Sequence, residues 1–203
     1  IGADSIGAGP KWTGIDPMDY QYRGSSLERI NFSLSGDNPA NWTASPLEKN
    51  ATPGMPNHIA RKQSIPLPIV TSLKAVNRKG SRIINKLDTV KIEAKLSENK
   101  MLNGMIIEYY YDNLEKEGEI VVKNEMKLTE GVWTHILPRK PDRTLVRYRF
   151  LADFGNGMER ISPRFGDPYE WHAYFVMPKT TGSNKYFELL IPRKGLSQLT
   201  KNM

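Results

Sequence analysis

Three histidines could provide acid–base chemistry or bind a metal in this chain of 203 residues, which contains no cysteine. They are His58, His135 and His172, and their wide separation matches no metal-ligand spacing. His135 follows Trp133 by two residues, so the two rings share one face of a regular strand. We therefore interpret the histidines as ordinary, partly buried side chains and predict no metal site and no disulfide.

Asp153-Phe154-Gly155 matches the metal-binding tripeptide of protein kinases. The kinase pattern also needs a glycine-rich phosphate loop, a strand lysine and a His-Arg-Asp loop upstream, and the sequence contains none of them. The tripeptide runs directly into Asn156-Gly157, residue types that tolerate the positive φ of tight turns. We predict a hairpin turn here, without catalysis.

Other chemically suggestive residues also lack the pattern that would give them a role. Pro10 follows the glycines at positions 7 and 9, with no Gly-Lys-Ser/Thr signature, so this segment is predicted to be a surface loop. No Gly-x-Ser-x-Gly motif accompanies the serines. Calcium stays open as a minor alternative, since loop oxygen donors are present but match no known calcium spacing: Asp16, Asp19, Asp37, Asn38. We predict no catalytic residue and no cofactor.

Three Asn-x-Ser/Thr tripeptides begin at Asn31, Asn41 and Asn50. Such tripeptides accept N-linked glycans in a eukaryotic secretory route. They also arise by chance in loops rich in asparagine, serine and threonine. We interpret them only as a sign that these segments are exposed.

The candidate binding residues are Arg147, Arg149 and Arg160. Arg147 and Arg149 alternate outward on one predicted strand, and Arg160 lies on its hairpin partner. A regular pleat would gather the three guanidinium groups on one sheet face, where they could contact an anion or a protein partner. The alternative is a solvated face on which these arginines pair with Glu108 or Glu159.

These side chains would be positioned by short strands. The segment 89–96 alternates, with Val90, Ile92 and Leu96 on one face and lysines on the other, which is typical of a half-buried strand. We predict further strands, separated by turn residues, at 27–30, 69–73, 105–111, 119–123, 131–138, 146–152, 158–161 and 171–176. The 16 glycines and 14 prolines favour the same interpretation. The predicted fold class is all-β, an immunoglobulin or fibronectin type III sandwich.

The aromatic residues fit the interior of such a sandwich. Tyr148 shares its predicted inward face with Val146, Phe150 and Ala152, early in the strand before the last hairpin, a place that resembles the tyrosine corner of these folds. Trp133 lies one strand earlier, where a large ring can fill the space between two sheets.

The formal net charge of +7 is unevenly distributed. Residues 1–63 hold six basic and six acidic side chains, whereas residues 64–203 hold 23 basic and 16 acidic ones. A basic domain can bind a polyanion, so a polyanion-binding module remains one alternative. The sequence shows no recognition helix, zinc finger or aromatic-basic RNA motif, and therefore does not favour nucleic acid. No apolar run approaches the roughly 20 residues of a membrane span.

The first part of the chain resembles the closing strands of a lamin-tail domain, a small immunoglobulin-like sandwich found in bacterial secreted proteins. The residues that carry this resemblance are Gly24 to Ile30, Asp37 to Ser45 and Thr52 to Asn57. Since a lamin-tail domain has more strands than residues 1–57 can hold, we expect the chain to be an internal piece of a larger extracellular protein. A proline-stiffened linker is expected at 58–65.

Residues 66–178 resemble the Ig-like domain that precedes the kinase-like domain of bacterial CotH-type spore-coat proteins. The residues concerned are Gly131 to Thr134, Val146 to Phe150 and Asp167 to Val176. Residues 179–203, with a predicted strand at 186–191 followed by a helix start, resemble the beginning of the CotH-like domain itself. The chain stops before any catalytic residue of that family, so none can be assigned here.

The combined resemblance implies a non-catalytic spacer and protein-interaction segment of a bacterial secreted or cell-surface protein. Its partners would be protein neighbours in a larger assembly or the rest of the same polypeptide. One alternative is the front end of a CotH-type kinase whose catalytic residues lie beyond Met203; the other is the polyanion-binding module.

Overall fold

The computed structural model describes residues 26–34, 36, 41–45, 52–60, 67–97, 102–112, 119–155, 157–164 and 170–179. The candidate calcium donors and the glycine loop at 7–9 lie outside these ranges. The predicted strand at 186–191 and the helix start after it also lie outside them. Among the described residues, no helix has the length and apolar character needed to cross a bilayer.

The described residues form eleven β-strands. In chain order these are β1 (Leu27–Arg29), β2 (Trp42–Ala44), β3 (Val70–Val76), β4 (Val90–Leu96), β5 (Gly104–Asp112), β6 (Val122–Glu125), β7 (Lys127–Thr129), β8 (Val132–Leu137), β9 (Leu145–Asp153), β10 (Met158–Ser162) and β11 (His172–Phe175). Every strand pairing is antiparallel. The predicted all-β fold class is confirmed.

The strands β3 to β11 make a sandwich of two sheets. One sheet has four strands in the order β3-β4-β8-β7; the other has five, in the order β10-β9-β5-β6, with β11 also paired to β9. The inward side chains of both sheets share one hydrophobic core. Ile92, Trp133 and Leu137 come from the four-stranded sheet, and Ile107 and Phe150 from the five-stranded sheet. This burial of apolar surface is the main stabilisation of the fold.

The alternation in the sequence gives β4 and β9 their orientation. Every second residue of β4 is buried, from Val90 to Leu96, and the lysines between them are exposed. On β9 the predicted inward set, including Tyr148 and Phe150, is buried as expected. Arg147 and Arg149 point outward between them. Because side chains alternate between the two faces of a strand, the core positions of β9 also determine where its arginines lie.

The Asp153 tripeptide forms a turn, as predicted. The amide of Gly155 donates to the Asp153 carboxylate at 2.8 Å, and the amide of Phe154 donates to the Gly157 carbonyl at 3.2 Å. Gly155 has a φ of 82°, which glycine adopts without a steric penalty. The carboxylate therefore closes the hairpin between β9 and β10.

The strands β1 and β2 form a separate two-stranded sheet, and polar side chains beside it hydrogen-bond to neighbouring backbone groups. Asn41 is fully buried, and its side-chain amide donates to the Asn31 carbonyl at 2.8 Å and accepts from the Asn31 amide at 2.9 Å. The indole of Trp42 donates to the Gly36 carbonyl at 2.7 Å. The expectation that the tripeptide at Asn41 is exposed is therefore wrong, because its side chain holds two chain segments together.

Arg164 joins this small sheet to the sandwich. It follows β10, is buried, and its guanidinium donates to the carbonyl of Trp42 at 2.6 Å.

One residue of the segment predicted to be a linker, Ile59, has a buried side chain.

Candidate functional site

The outer face of the five-stranded sheet carries the predicted arginines, and each of them has a partner. The β5–β9 register places Glu108 opposite Arg149 and Tyr110 opposite Arg147. The Nε of Arg149 donates to Glu108 at 2.5 Å, and the Nε of Arg147 donates to Asp112 at 2.6 Å. Pairing with Glu108, one of the alternatives drawn from the sequence, is what the structure shows for Arg149.

Glu108 is the carboxylate around which this face is organised. Its side chain is 4% exposed and lies between Arg149 and Lys123, whose Nζ is 2.7 Å from the second carboxylate oxygen. Burial opposes ionisation of Glu108, but hydrogen bonds from Lys123 and Arg149, together with their charges, outweigh it and hold its pKa below the usual range. The carboxylate is therefore ionised and fixes the position of the Arg149 guanidinium.

Two aromatic rings complete this face. The guanidinium carbon of Arg149 lies 4.0 Å from the centre of the Trp171 ring, a cation–π geometry. The ring of Tyr110 meets Trp171 edge-on, with centroids 4.8 Å apart. Both rings are partly exposed. We call Tyr110, Arg147, Arg149 and Trp171 the aromatic–arginine face.

Arg160 has a different role from the other two arginines. It pairs in register with Leu151 on β9, so its side chain lies on the same outer face of the sheet as those of Arg147 and Arg149. Its guanidinium donates to the carbonyl of Arg164 at 3.2 Å. It therefore stabilises the segment that reaches the two-stranded sheet, whereas Arg147 and Arg149 belong to the aromatic–arginine face.

Trp171 and Tyr110 were not among the residues predicted for the site. Residues 171–176 were predicted to be extended, but their pairing with β9, which brings Trp171 to Arg149, joins segments distant in the chain. No sequence signal predicted this pairing, in which His172 is opposite inward Tyr148 and Ala173 is opposite outward Arg147. An outward Trp171 follows from that register.

The three histidines are far apart in the sequence, and the contacts of His172 and His135 are with neighbouring strand residues. His172 lies beside Tyr148 and Phe150, and its Nε2 is 2.8 Å from the Ser162 hydroxyl. Burial lowers the pKa of His172 to about 4, so the ring is neutral at physiological pH. The Nδ1 of His135 is 3.1 Å from the Glu125 carbonyl, and His58 is exposed. Within the described ranges, no three His, Asp or Glu side chains form a group that could hold a metal.

Comparison with known proteins finds distant structural likeness only. No family model matches the chain, and no curated protein matches it. Among solved structures, the bromine derivative of BhCBM56, a carbohydrate-binding module, is similar, with 12% sequence identity and a TM-score of 0.36. The match covers 56% of this chain and 96% of that one. At this distance the likeness carries no argument about what the chain binds.

Proposed function

We propose that this chain is a non-catalytic spacer and protein-interaction segment of a larger bacterial secreted or cell-surface protein. In this proposal residues 1–57 close a lamin-tail-like domain, residues 66–178 are an Ig-like module, and residues 179–203 begin a CotH-like domain. The aromatic–arginine face is the contact surface for a neighbouring protein domain.

The observation that carries this proposal is the composition of the aromatic–arginine face. Tryptophan, tyrosine and arginine are the residue types in which the binding energy of protein interfaces is concentrated. Here Trp171 contacts both Arg149 and Tyr110, and all three side chains are partly exposed.

The side chains of this face are also held by contacts within the chain itself. Arg149 is held by the buried Glu108, and Trp171 packs on Arg149 and Tyr110. A surface whose side chains are already ordered loses less conformational entropy on association, which favours affinity.

Binding to cells of the source organism tests the proposal. We expect the labelled chain to bind cells whose parent protein lacks residues 66–178, so that the neighbouring domain is present and unoccupied, and protease treatment of those cells to abolish binding. Trp171→Ala should weaken binding by about tenfold or more, as expected for an interface hot spot.

Leu128→Ala is the matched control, because Leu128 is an exposed apolar residue on the other sheet. The proposal fails if the chain does not bind, if binding survives the protease, or if both variants bind as the unchanged chain does.

A further inference from the structure

The outer face of the four-stranded sheet carries a concentration of positive charge. The registers align Lys74, Glu93 and Thr134 in one row across β3, β4 and β8, and Lys127 on β7 continues it. Lys91 and Lys95 lie on either side of Glu93 along β4, and Arg78 follows β3 in the next turn. We call these cations the lysine face: Lys74, Arg78, Lys91, Lys95 and Lys127.

Most of this charge is not neutralised. Glu93 is 2.7 Å from the Nζ of Lys91, and it is the one carboxylate among the outward residues of the four strands. Within the described part of the chain, Lys74, Lys95 and Lys127 have no acidic partner. Arg78 donates to the Thr89 hydroxyl at 3.2 Å, a contact that leaves its charge in place.

An open groove of about 540 Å³ runs into the lysine face. Lys74, Arg78 and Lys91 line it, together with the apolar side chains of Val76 and Ile136. The carboxylate of Glu93, paired with Lys91, also lines it. The Ile136 side chain is 65% exposed. The groove therefore offers cations beside a small apolar surface, and Thr89 adds a hydroxyl to its lining.

We infer that the lysine face binds a linear anionic polysaccharide. Diagonal neighbours on adjacent strands have Cα atoms about 7–8 Å apart, and Lys74 is such a neighbour of both Lys91 and Lys95. A flat array of cations at this spacing suits a chain of sugars that carries carboxylate or sulfate groups at regular intervals. Ser72, Thr129 and Thr134 share the face and can hydrogen-bond to sugar hydroxyls.

The same residues disfavour nucleic acid. Single-stranded nucleic acid is bound by aromatic rings on which successive bases stack. The outward positions of β3, β4, β7 and β8 hold no aromatic side chain.

The lysine face lies on the opposite sheet from the aromatic–arginine face. Substitutions on one face can therefore abolish polysaccharide binding without affecting protein binding, and the reverse.

The test measures the affinity of the purified 203-residue chain for heparin, which carries sulfate, and for alginate, which carries carboxylate alone. We expect binding to at least one of them at low salt, and the preferred polymer identifies the anionic group. Lys74→Gln, Lys95→Gln and Lys127→Gln together should reduce affinity by about tenfold or more. They should also reduce the slope of log affinity against log salt by about 2, since three cationic contacts are lost.

Arg82→Gln, Arg139→Gln and Lys179→Gln together form the matched control, since they remove the same charge from exposed positions elsewhere. We expect less than a twofold change. Thermal unfolding should be the same for both triple variants, because the substituted side chains are exposed.

Three results would overturn the inference. The first is no binding to either polymer at low salt. The second is an equal loss of affinity in the two triple variants. The third is an affinity for a single-stranded DNA oligonucleotide equal to or above that for both polysaccharides.

Discussion

At the scale of single residues, Glu108 determines how the aromatic–arginine face is held. Its carboxylate is buried and receives hydrogen bonds from Arg149 and Lys123. A buried charge is stabilised only while its partners remain, so this carboxylate and the Arg149 guanidinium depend on each other. The position of Trp171 depends in turn on Arg149, because its ring packs on that guanidinium.

Glu108→Gln is expected to destabilise the chain by about 2 kcal/mol at neutral pH, the range for hydrogen bonds to a charged group. The pKa of Glu108 is lowered from 4.5, so its contribution is fully present above that pH and is lost as the pH falls through the lower folded-state pKa. Urea unfolding of the unchanged chain and of Glu108→Gln, at neutral and at acidic pH, measures this difference in the free energy of unfolding. Glu93→Gln, in the exposed pair with Lys91, should cost less than about 1 kcal/mol; equal effects of the two variants would contradict the account.

Tyr174 offers a second prediction at this scale. Its buried hydroxyl has no hydrogen-bond partner among the described residues, and burial raises its pKa. Tyr174→Phe removes an unsatisfied polar group and should stabilise the chain by about 1 kcal/mol in the same unfolding assay. Tyr109→Phe should have the opposite effect, because the Tyr109 hydroxyl accepts a hydrogen bond from Asn124 at 3.0 Å. A loss of stability in Tyr174→Phe would show that the hydroxyl has a partner.

At the scale of elements, local sequence patterns predicted most of the strands. The pairing of strands that are distant in the chain determines which residues meet at the aromatic–arginine face. The alternation of β4 and the Gly155 turn could be predicted because each depends on neighbouring residues. Local patterns did not predict β2 and β7, because three residues are too few to show an alternation; a strand near β2 was implied only by the resemblance of residues 37–45 to a lamin-tail domain. The contact of Trp171 with Arg149 could not be predicted for a different reason, since it depends on which strand β11 pairs with.

The turn between β7 and β8 gives the prediction for an element. Glu130 and Gly131 have φ values of 51° and 78°, and positive φ at both positions is what a tight type I′ hairpin turn requires. Nothing lies within 4 Å of a Cβ built at Gly131, so Gly131→Ala should cost about 1 kcal/mol through backbone strain alone. Glu130→Asn should be neutral or stabilising, because asparagine tolerates positive φ. Thermal unfolding compares the two, and a stabilising Gly131→Ala would contradict this description of the turn.

At the scale of the whole molecule, Arg164 connects the two-stranded sheet to the sandwich. An isolated two-stranded sheet is at best marginally stable in water, so β1 and β2 depend on contacts such as the one between Arg164 and the Trp42 carbonyl. Arg164→Ala should speed amide hydrogen exchange in β1 and β2 by about tenfold, and that in β4 and β9 much less. Arg139→Ala, at an exposed position, is the control. Equal exchange in the Arg164 variant and the unchanged chain would mean that other contacts hold the small sheet.

The central claim is that the aromatic–arginine face is a protein interface. Site-specific photo-crosslinking in the parent protein on its own cells tests it most directly, with the crosslinker at Ala173, an exposed position paired with Arg147 on that face. The comparison is the exposed Thr129 on the opposite sheet. We predict a protein crosslink from position 173 that is lost with Trp171→Ala, and none from position 129. Equal protein crosslinks from both positions, or none from position 173, would contradict the account.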